Sequence, residues 1–204
     1  MYNLNDTYTK SFFKMRPRLA WRIPIVCNAI ITALHPQTVL DFGCGCGGYI
    51  KGFHDRGITA CGIEGSKNCL DFLMVDPLYV RIADIRQPLD NFFEFVINRH
   101  DLVLCLEVAE HIEEEFVYNF IWNLKAASNE ILMSAAPPGQ GGLKHVNCQP
   151  KEYWVEKMAE VGGGHLGYKY NEEYTEKVKS KFTHLHRKEI RVYYENLMFF
   201  KKEK

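Results

Sequence analysis

Glu107-Val-Ala-Glu110-His111 places two carboxylates and an imidazole within one short stretch, and a further imidazole, His145, follows in a glycine-rich segment. If a helical turn starts at Glu107, the three groups at i, i+3 and i+4 fall on one face and can share an ion. Carboxylate oxygens with imidazole suit Mg²⁺, Mn²⁺ or a similar divalent cation better than a thiolate-dependent structural zinc. Glu107, Glu110, His111 and His145 are therefore the candidate metal ligands. Without a metal, His111 or His145 is the candidate general base, because imidazole titrates near operating pH. A plainer alternative stays open: the Glu-His pair caps the following helix, with Glu113 to Glu115 adding favourable charge at its N-terminus.

The second chemical feature is Asp41-Phe-Gly43-Cys44-Gly45-Cys46-Gly47-Gly48. Glycines after a strand permit a tight turn and bring backbone close to a ligand at a helix N-terminus. By spacing alone, Gly43, Gly45 and Gly48 also satisfy the dinucleotide fingerprint. Asp41 favours another ligand, since a carboxylate there opposes a pyrophosphate but suits an ammonium and a sulfonium; this points to S-adenosylmethionine. Glu64 stands about 20 residues beyond the glycines, where an acidic side chain accepts from both ribose hydroxyls. Asp84 is placed to accept from an adenine amino group, with Ile85 against the ring.

These residues need an alternating scaffold, and the pattern supplies one. Residues 1 to 16 are polar and aromatic without a clear period, whereas Val26, Ile30, Ala33 and Leu34 follow helical spacing from about Pro24. Thr38 to Gly43 reads as a short buried strand, and Tyr49 to Arg56 as a helix stopped by Gly57. Further strands are expected at Thr59–Glu64, Tyr79–Ile85, Asp101–Val108 and Asn129–Ala136, with helices around Lys67–Leu73, Phe116–Leu124 and Pro150–Val161. Asn196-Leu-Met-Phe-Phe is expected as a last, edge strand. Alternation of this kind gives a parallel sheet with helices on both faces and ligands at the C-terminal strand ends. Pro137 to Asn147 forms a long loop between a strand and a helix, the kind of segment that often carries function.

The chain resembles the class I adenosylmethionine-dependent methyltransferases with an acidic-x-Gly-x-Gly-x-Gly first motif, over roughly Val39 to Val161. The resemblance implies a Rossmann-like, three-layer α/β/α fold. Its sheet is seven-stranded and mostly parallel, with an antiparallel last strand. It also implies cofactor contacts from Asp41, Gly43, Gly45, Gly47, Glu64, Asp84 and Ile85, to which the adjoining Cys44, Gly65 and Leu106 are added. Glu-x-x-Glu-His with a later loop histidine is similar to the metal site of small-RNA 3′-terminal 2′-O-methyltransferases, and its first part to ubiquinone-biosynthesis O-methyltransferases. Around His145 the chain departs from the RNA enzymes, lacking their His-x-His-style cluster, and looks instead like a bacterial and viral subgroup with Ala-Pro-Pro-Gly-Gln-Gly-Gly before His-Val-Asn.

The 204 residues suit one domain, with residues 1–36 as a helical or lid segment and 37–204 as the core. Tyr2, Tyr8, Phe12 and Phe13 are candidate lid aromatics. Lys plus Arg equals Asp plus Glu at 25 each, so no global field draws the chain to a polyanion, and any anion site is local. One such possibility is Lys177 to Arg191, although charge runs are more often solvated surface. No apolar stretch approaches the ~20 residues of a membrane span, and the N-terminus lacks a signal pattern, so a cytoplasmic protein is expected. Seven cysteines without a C-x-x-C pair read as reduced thiols. The expected activity is methyl transfer to a hydroxyl of a small molecule or sugar, with metal assistance. The alternatives are an RNA 3′-terminal 2′-hydroxyl or a non-catalytic cofactor-binding module.

Overall fold

The computed structural model describes residues 3–89, 100–162 and 167–203; Tyr2 falls outside them. Short apolar runs between glycines and polar turns form the strands: β1 (Thr38–Phe42), β2 (Thr59–Glu64), β3 (Val80–Ile82), β4 (Leu102–Leu106), β5 (Glu130–Ser134), β6 (Tyr168–Tyr170) and β7 (Leu197–Lys202). They make one seven-stranded sheet in the order β3-β2-β1-β4-β5-β7-β6. β1 to β5 pair in parallel, and β7 runs antiparallel to both β5 and β6. The order reverses beside β1 and β4, so the crevice expected at such a switch point opens above the ends of these two strands.

The helices are α1 (Leu4–Thr7), α2 (Lys10–Met15), α3 (Ile23–Leu34), α4 (Gly48–His54), α5 (Val117–Ala127), α6 (Lys151–Glu160), α7 (Glu172–Lys179) and α8 (Lys188–Asn196). Because strand side chains alternate, β1 sends Val39 to one face and Leu40 and Phe42 to the other, and β4 sends Leu102 and Leu104 one way and Val103 and Cys105 the other. The first face packs against Val26 and Ile30 of α3, Phe53 of α4, Val178 of α7 and Ile190 of α8. The second packs against Phe120 and Leu124 of α5 and Trp154 and Met158 of α6. This is the three-layer arrangement. Among the described residues, no helix is long and apolar enough to cross a membrane.

Several local expectations change. The last strand is interior, not an edge: Leu197, Met198, Phe199 and Phe200 are all buried, which is the composition of a strand covered on both faces, and β6 takes the edge. The third strand shrinks to Val80–Ile82, and the 67–73 helix is a 3₁₀ segment, Lys67–Phe72, capped by Ser66. The aperiodic N-terminus folds as α1, α2 and a 3₁₀ segment, Arg16–Arg22, that runs into α3. Buried Phe13 packs with Cys46 and Cys69 and fixes this segment over the glycine loop. The 177–191 run spans the end of α7 and the start of α8 instead of one surface stretch.

Candidate active site

The chain leaves β1 through Gly43, Gly45 and Gly47 at φ 72°, 57° and 73°, the left-handed region that side chains disfavour. The amides of Gly43 and Cys44 donate to the Ile63 carbonyl, which ties the loop to β2, and Gly47 caps α4. The next amide with a side-chain partner is that of Gly45, which donates to Glu64 Oε2 at 3.0 Å; Ser66 N donates to Oε1 at 2.8 Å. Burial pushes the Glu64 carboxyl up, and the amides of Ser66, Gly45 and Gly65 work against that rise. A carboxylate fixed at the tip of β2 keeps lone pairs for a diol. Asp41 lies deeper, 3% exposed, with Oδ2 unpartnered. Burial, with the charge of Glu64 adding to it, holds its carboxyl well above the usual range.

Asp84 is already engaged. Arg86 grips it through Nε (2.9 Å) and Nη2 (2.8 Å) and holds Glu113 through Nη1 at 3.1 Å. Arg86 is itself buried, and these two carboxylates keep its guanidinium protonated against the opposing effect of burial. Gly43, Gly45, Glu64, Gly65, Asp84 and Ile85 line a pocket of about 120 Å³, roofed by Leu4, Tyr8 and Phe12 of the N-terminal segment. Ser66 and Asn68 latch that roof, both donating to the Tyr8 carbonyl.

A larger cleft of about 690 Å³ opens beside it, and Phe12, Arg16, Glu107 and His111 line both spaces. β4 ends at Leu106, and Glu107 then adopts φ 55°, an uncommon conformation for a side-chain-bearing residue and a frequent mark of functional sites. The helical turn expected from Glu107 is instead a 3₁₀ turn over Ala109–His111, so Glu107 leaves the shared face. Its carboxylate accepts from Gln140 Nε2 at 2.9 Å and Asn196 Nδ2 at 3.2 Å, and Asn196 also donates to Gln140 Oε1.

Glu110, His111 and His145 converge, their ligand atoms all within 4.8 Å of one another. Glu110 is fully buried and neither carboxylate oxygen has a hydrogen-bond partner. His145 Nε2 lies 3.8 Å and His111 Nε2 4.0 Å from Glu110 Oε1. His111 Nδ1 faces the Lys144 carbonyl at 3.0 Å and His145 Nδ1 the Gln140 carbonyl at 2.9 Å. An N–H at Nδ1 satisfies each carbonyl and leaves both Nε2 lone pairs facing Glu110. The loop is held in place because Val146 N and Asn147 N both donate to the Glu110 carbonyl. Burial raises the Glu110 carboxyl to about 8 and Glu107 adds to the rise, while the nearby backbone amides of Glu110 and Ala136, outside hydrogen-bond geometry, work weakly against it. Burial lowers His111 to about 4, which makes it a weak general base at neutral pH but a ready neutral ligand.

The candidate residues therefore divide by position. Gly43, Gly45, Glu64, Gly65, Asp84 and Ile85 line the small pocket, whereas Cys44 and Leu106 line the large cleft, and Asp41 and Gly47 line neither. Sequence reasoning missed Arg86, Gln140 and Asn196. Only Arg86, two residues beyond Asp84 on a strand end, carried a readable local signal.

Residues 27–114, from α3 through the glycine loop to the turn after β4, match the family model "Methionine biosynthesis protein MetW". No curated protein matches the chain. Among similar solved structures is a TehB-like SAM-dependent methyltransferase from Corynebacterium glutamicum, 14% identical with a TM-score of 0.62 over 95% of this chain and 98% of that one. Another is the plantazolicin methyltransferase BamL in complex with a triazolic desmethylPZN analog and SAH, 12% identical with a TM-score of 0.61 over 96% and 90%. A third is the methyltransferase domain of bacterial CtHen1-C, 16% identical with a TM-score of 0.57 over 91% and 99%. The chain has the fold of the class I S-adenosylmethionine-dependent methyltransferases.

Proposed function

We propose that the chain transfers the methyl group of S-adenosylmethionine to a hydroxyl of a small molecule or sugar, with Glu110, His111 and His145 holding a divalent cation beside the acceptor. The observation that carries this reading is the buried, unpartnered Glu110 carboxylate facing two imidazoles whose other nitrogens are committed to backbone carbonyls. Buried polar oxygens are normally satisfied, and a metal ion would satisfy those of Glu110 while displacing its proton. One carboxylate with two imidazoles is a nitrogen-rich set. With Glu107 drawn away by Gln140 and Asn196, it suits Mn²⁺ or a similar borderline ion better than Mg²⁺.

In this reading the adenosyl unit occupies the small pocket. Glu64 accepts from the ribose hydroxyls, and Asp84 and Ile85 meet the adenine, while Asp41 lies buried beneath the glycine loop and outside both spaces. Glu107 and His111, which line both spaces, mark where methyl donor and acceptor meet. A divalent cation supplies a lowered hydroxyl pKa and a fixed oxygen position. The acceptor oxygen would gain the methyl group as its proton passes to water in the open cleft, and the sulfonium would depart as a neutral thioether, so little acid–base help is needed beyond alignment. A reducing, cytoplasmic setting fits the seven free cysteines.

A titration of Mn²⁺ followed by electron paramagnetic resonance tests the cluster. Binding by the wild type is expected to weaken by at least about tenfold in Glu110→Gln and in His145→Ala, whereas equal binding by all three proteins removes the metal. A screen with radiolabelled donor then separates acceptors. Methylation of glycosides and not RNA supports the proposal, RNA alone favours a 3′-terminal 2′-hydroxyl, and cofactor binding without transfer to any acceptor favours a binding module.

A further inference from the structure

The larger cleft has two chemically unlike walls. One is the β4 end and the 137–147 loop, with the Glu110–His111–His145 cluster. The other is the 3₁₀ segment Arg16–Arg22 and one stripe of α8, where Lys188, Arg191, Val192 and Glu195 recur at i, i+3, i+4 and i+7. This second wall brings Arg22, Lys188 and Arg191 to one surface, although the chain as a whole is neutral.

Arg22 is the informative member. It is half-buried, and its guanidinium stands 5.3 Å over the Tyr193 ring, yet no carboxylate among the described residues pairs with it. Burial works against its charge, while Tyr49, Tyr193, Glu107 and Glu189 around it keep it protonated. Arg191 has only an exposed contact with Glu195 at 3.6 Å, and Lys188 is exposed at the start of α8 with no ion-pair partner among the described residues. A half-buried guanidinium with no carboxylate at ion-pair distance among the described residues, on the same cleft wall as an exposed lysine, can receive a phosphoryl group: a planar fork for two oxygens and a point charge for the third.

We infer that this wall binds a phosphate on the methyl acceptor, with Arg22 and Lys188 as its contacts. The acceptor is then a small phosphorylated hydroxyl compound whose hydroxyl lies at the Glu110–His111–His145 cluster. The inference rests on the methyl-transfer reading above and deepens it. A cleft of about 690 Å³ is in the range of small-ligand sites, and the neutral chain lacks the broad basic footprint of a polymer binder. Arg16 lines both spaces and is kept apart from the assignment, because it also borders the cofactor pocket.

The test is calorimetric titration of inorganic phosphate, glucose 6-phosphate and glucose into the full chain, with and without adenosylhomocysteine, at fixed ionic strength with acetate as the control anion. The proteins are the wild type, Arg22→Gln, Arg22→Lys and Lys188→Gln. The two phosphates are expected to bind and glucose and acetate not to. Arg22→Gln is expected to weaken phosphate binding by about tenfold, Lys188→Gln by a smaller factor, and Arg22→Lys to recover part of the loss, with adenosylhomocysteine affinity unchanged. Should Arg22→Gln not fold, a Lys188→Gln, Arg191→Gln double variant carries the same comparison. Three results overturn the inference. The folded wild type does not bind phosphate; the variants bind it equally; or Arg22→Gln loses adenosylhomocysteine in place of phosphate, which gives Arg22 to the cofactor. A short single-stranded RNA that binds more tightly than the small esters overturns the small-molecule class. Phosphate binding is read without turnover, so its loss leaves the methyl-transfer reading standing, and a failure of adenosylhomocysteine to bind sinks that reading separately.

Discussion

Glu110 Oε1 and His145 Nε2 lie 3.8 Å apart, beyond hydrogen-bond reach yet close enough for one ion to bridge. The contact depends on Gly142, because a Cβ there would collide with the His145 ring. Gly142→Ala should therefore displace His145 and weaken Mn²⁺ binding by about tenfold or more. The melting temperature should hardly move, since the loop is exposed at that point. A variant that binds Mn²⁺ as the wild type does would remove His145 from the cluster.

The N-terminal segment should lift to admit the cofactor. The pocket beneath it holds about 120 Å³, below the roughly 300 Å³ at which drug-sized ligand sites begin. Its latch is polar and small, with Asn68 Nδ2 donating to the carbonyls of Asn5 and Tyr8. Trypsin should cut after the exposed Lys14 or Arg18 in the free protein, and adenosylhomocysteine should slow that cleavage. Identical cleavage rates with and without ligand would mean that the segment is not a lid.

The thiols should be inert in the folded state. Burial pushes Cys46 up to about 11 and Cys27, Cys61 and Cys69 up to about 12; the same cause raises Cys44, Cys105 and Cys148. A disulfide reagent at pH 7.5 should label the native protein slowly and seven thiols at once in denaturant. Rapid native labelling of Cys44 or Cys46 would contradict the packing of the glycine loop.

Lys125 gives a pH signature. Its ammonium is buried, donates to the Val161 carbonyl at 2.6 Å, and burial lowers it to about 8. Below pH 8 both folded and unfolded chains carry the proton and folding bears the full desolvation cost. Between about pH 8 and the ordinary lysine value, only the unfolded chain holds it. Stability therefore rises with pH across that window, by at most ~1.4 kcal/mol per unit. Urea unfolding of wild type and Lys125→Met at pH 7, 8.5 and 10 should show the wild type gaining on the variant as pH rises. A constant difference would mean that Lys125 keeps its ordinary pKa.

Where local rules act, the sequence was readable. The glycines after β1 and the acidic residues at the ends of β1 and β2 are dictated by a tight turn and by strand ends, and the structure puts Glu64 against the Gly45 amide. Glu107 was misplaced because its partners, Gln140 and Asn196, come from a distant loop and from the C-terminal end of α8, and no local signal announces a positive φ there. The last strand was misjudged as an edge for a related reason: burial on both faces follows from pairing with β5 and β6, which are remote in sequence. Arg22 gave no signal, lying between the aperiodic residues 1 to 16 and the helical spacing that starts at about Pro24.

The central claim is that the glycine loop and Glu64 hold S-adenosylmethionine. Calorimetric titration of adenosylhomocysteine into the wild type and Glu64→Ala tests it most directly. Micromolar binding by the wild type, weakened by at least about tenfold in the variant, is the predicted result. A folded wild type that takes up no adenosylhomocysteine, or a variant that binds it equally well, would contradict it.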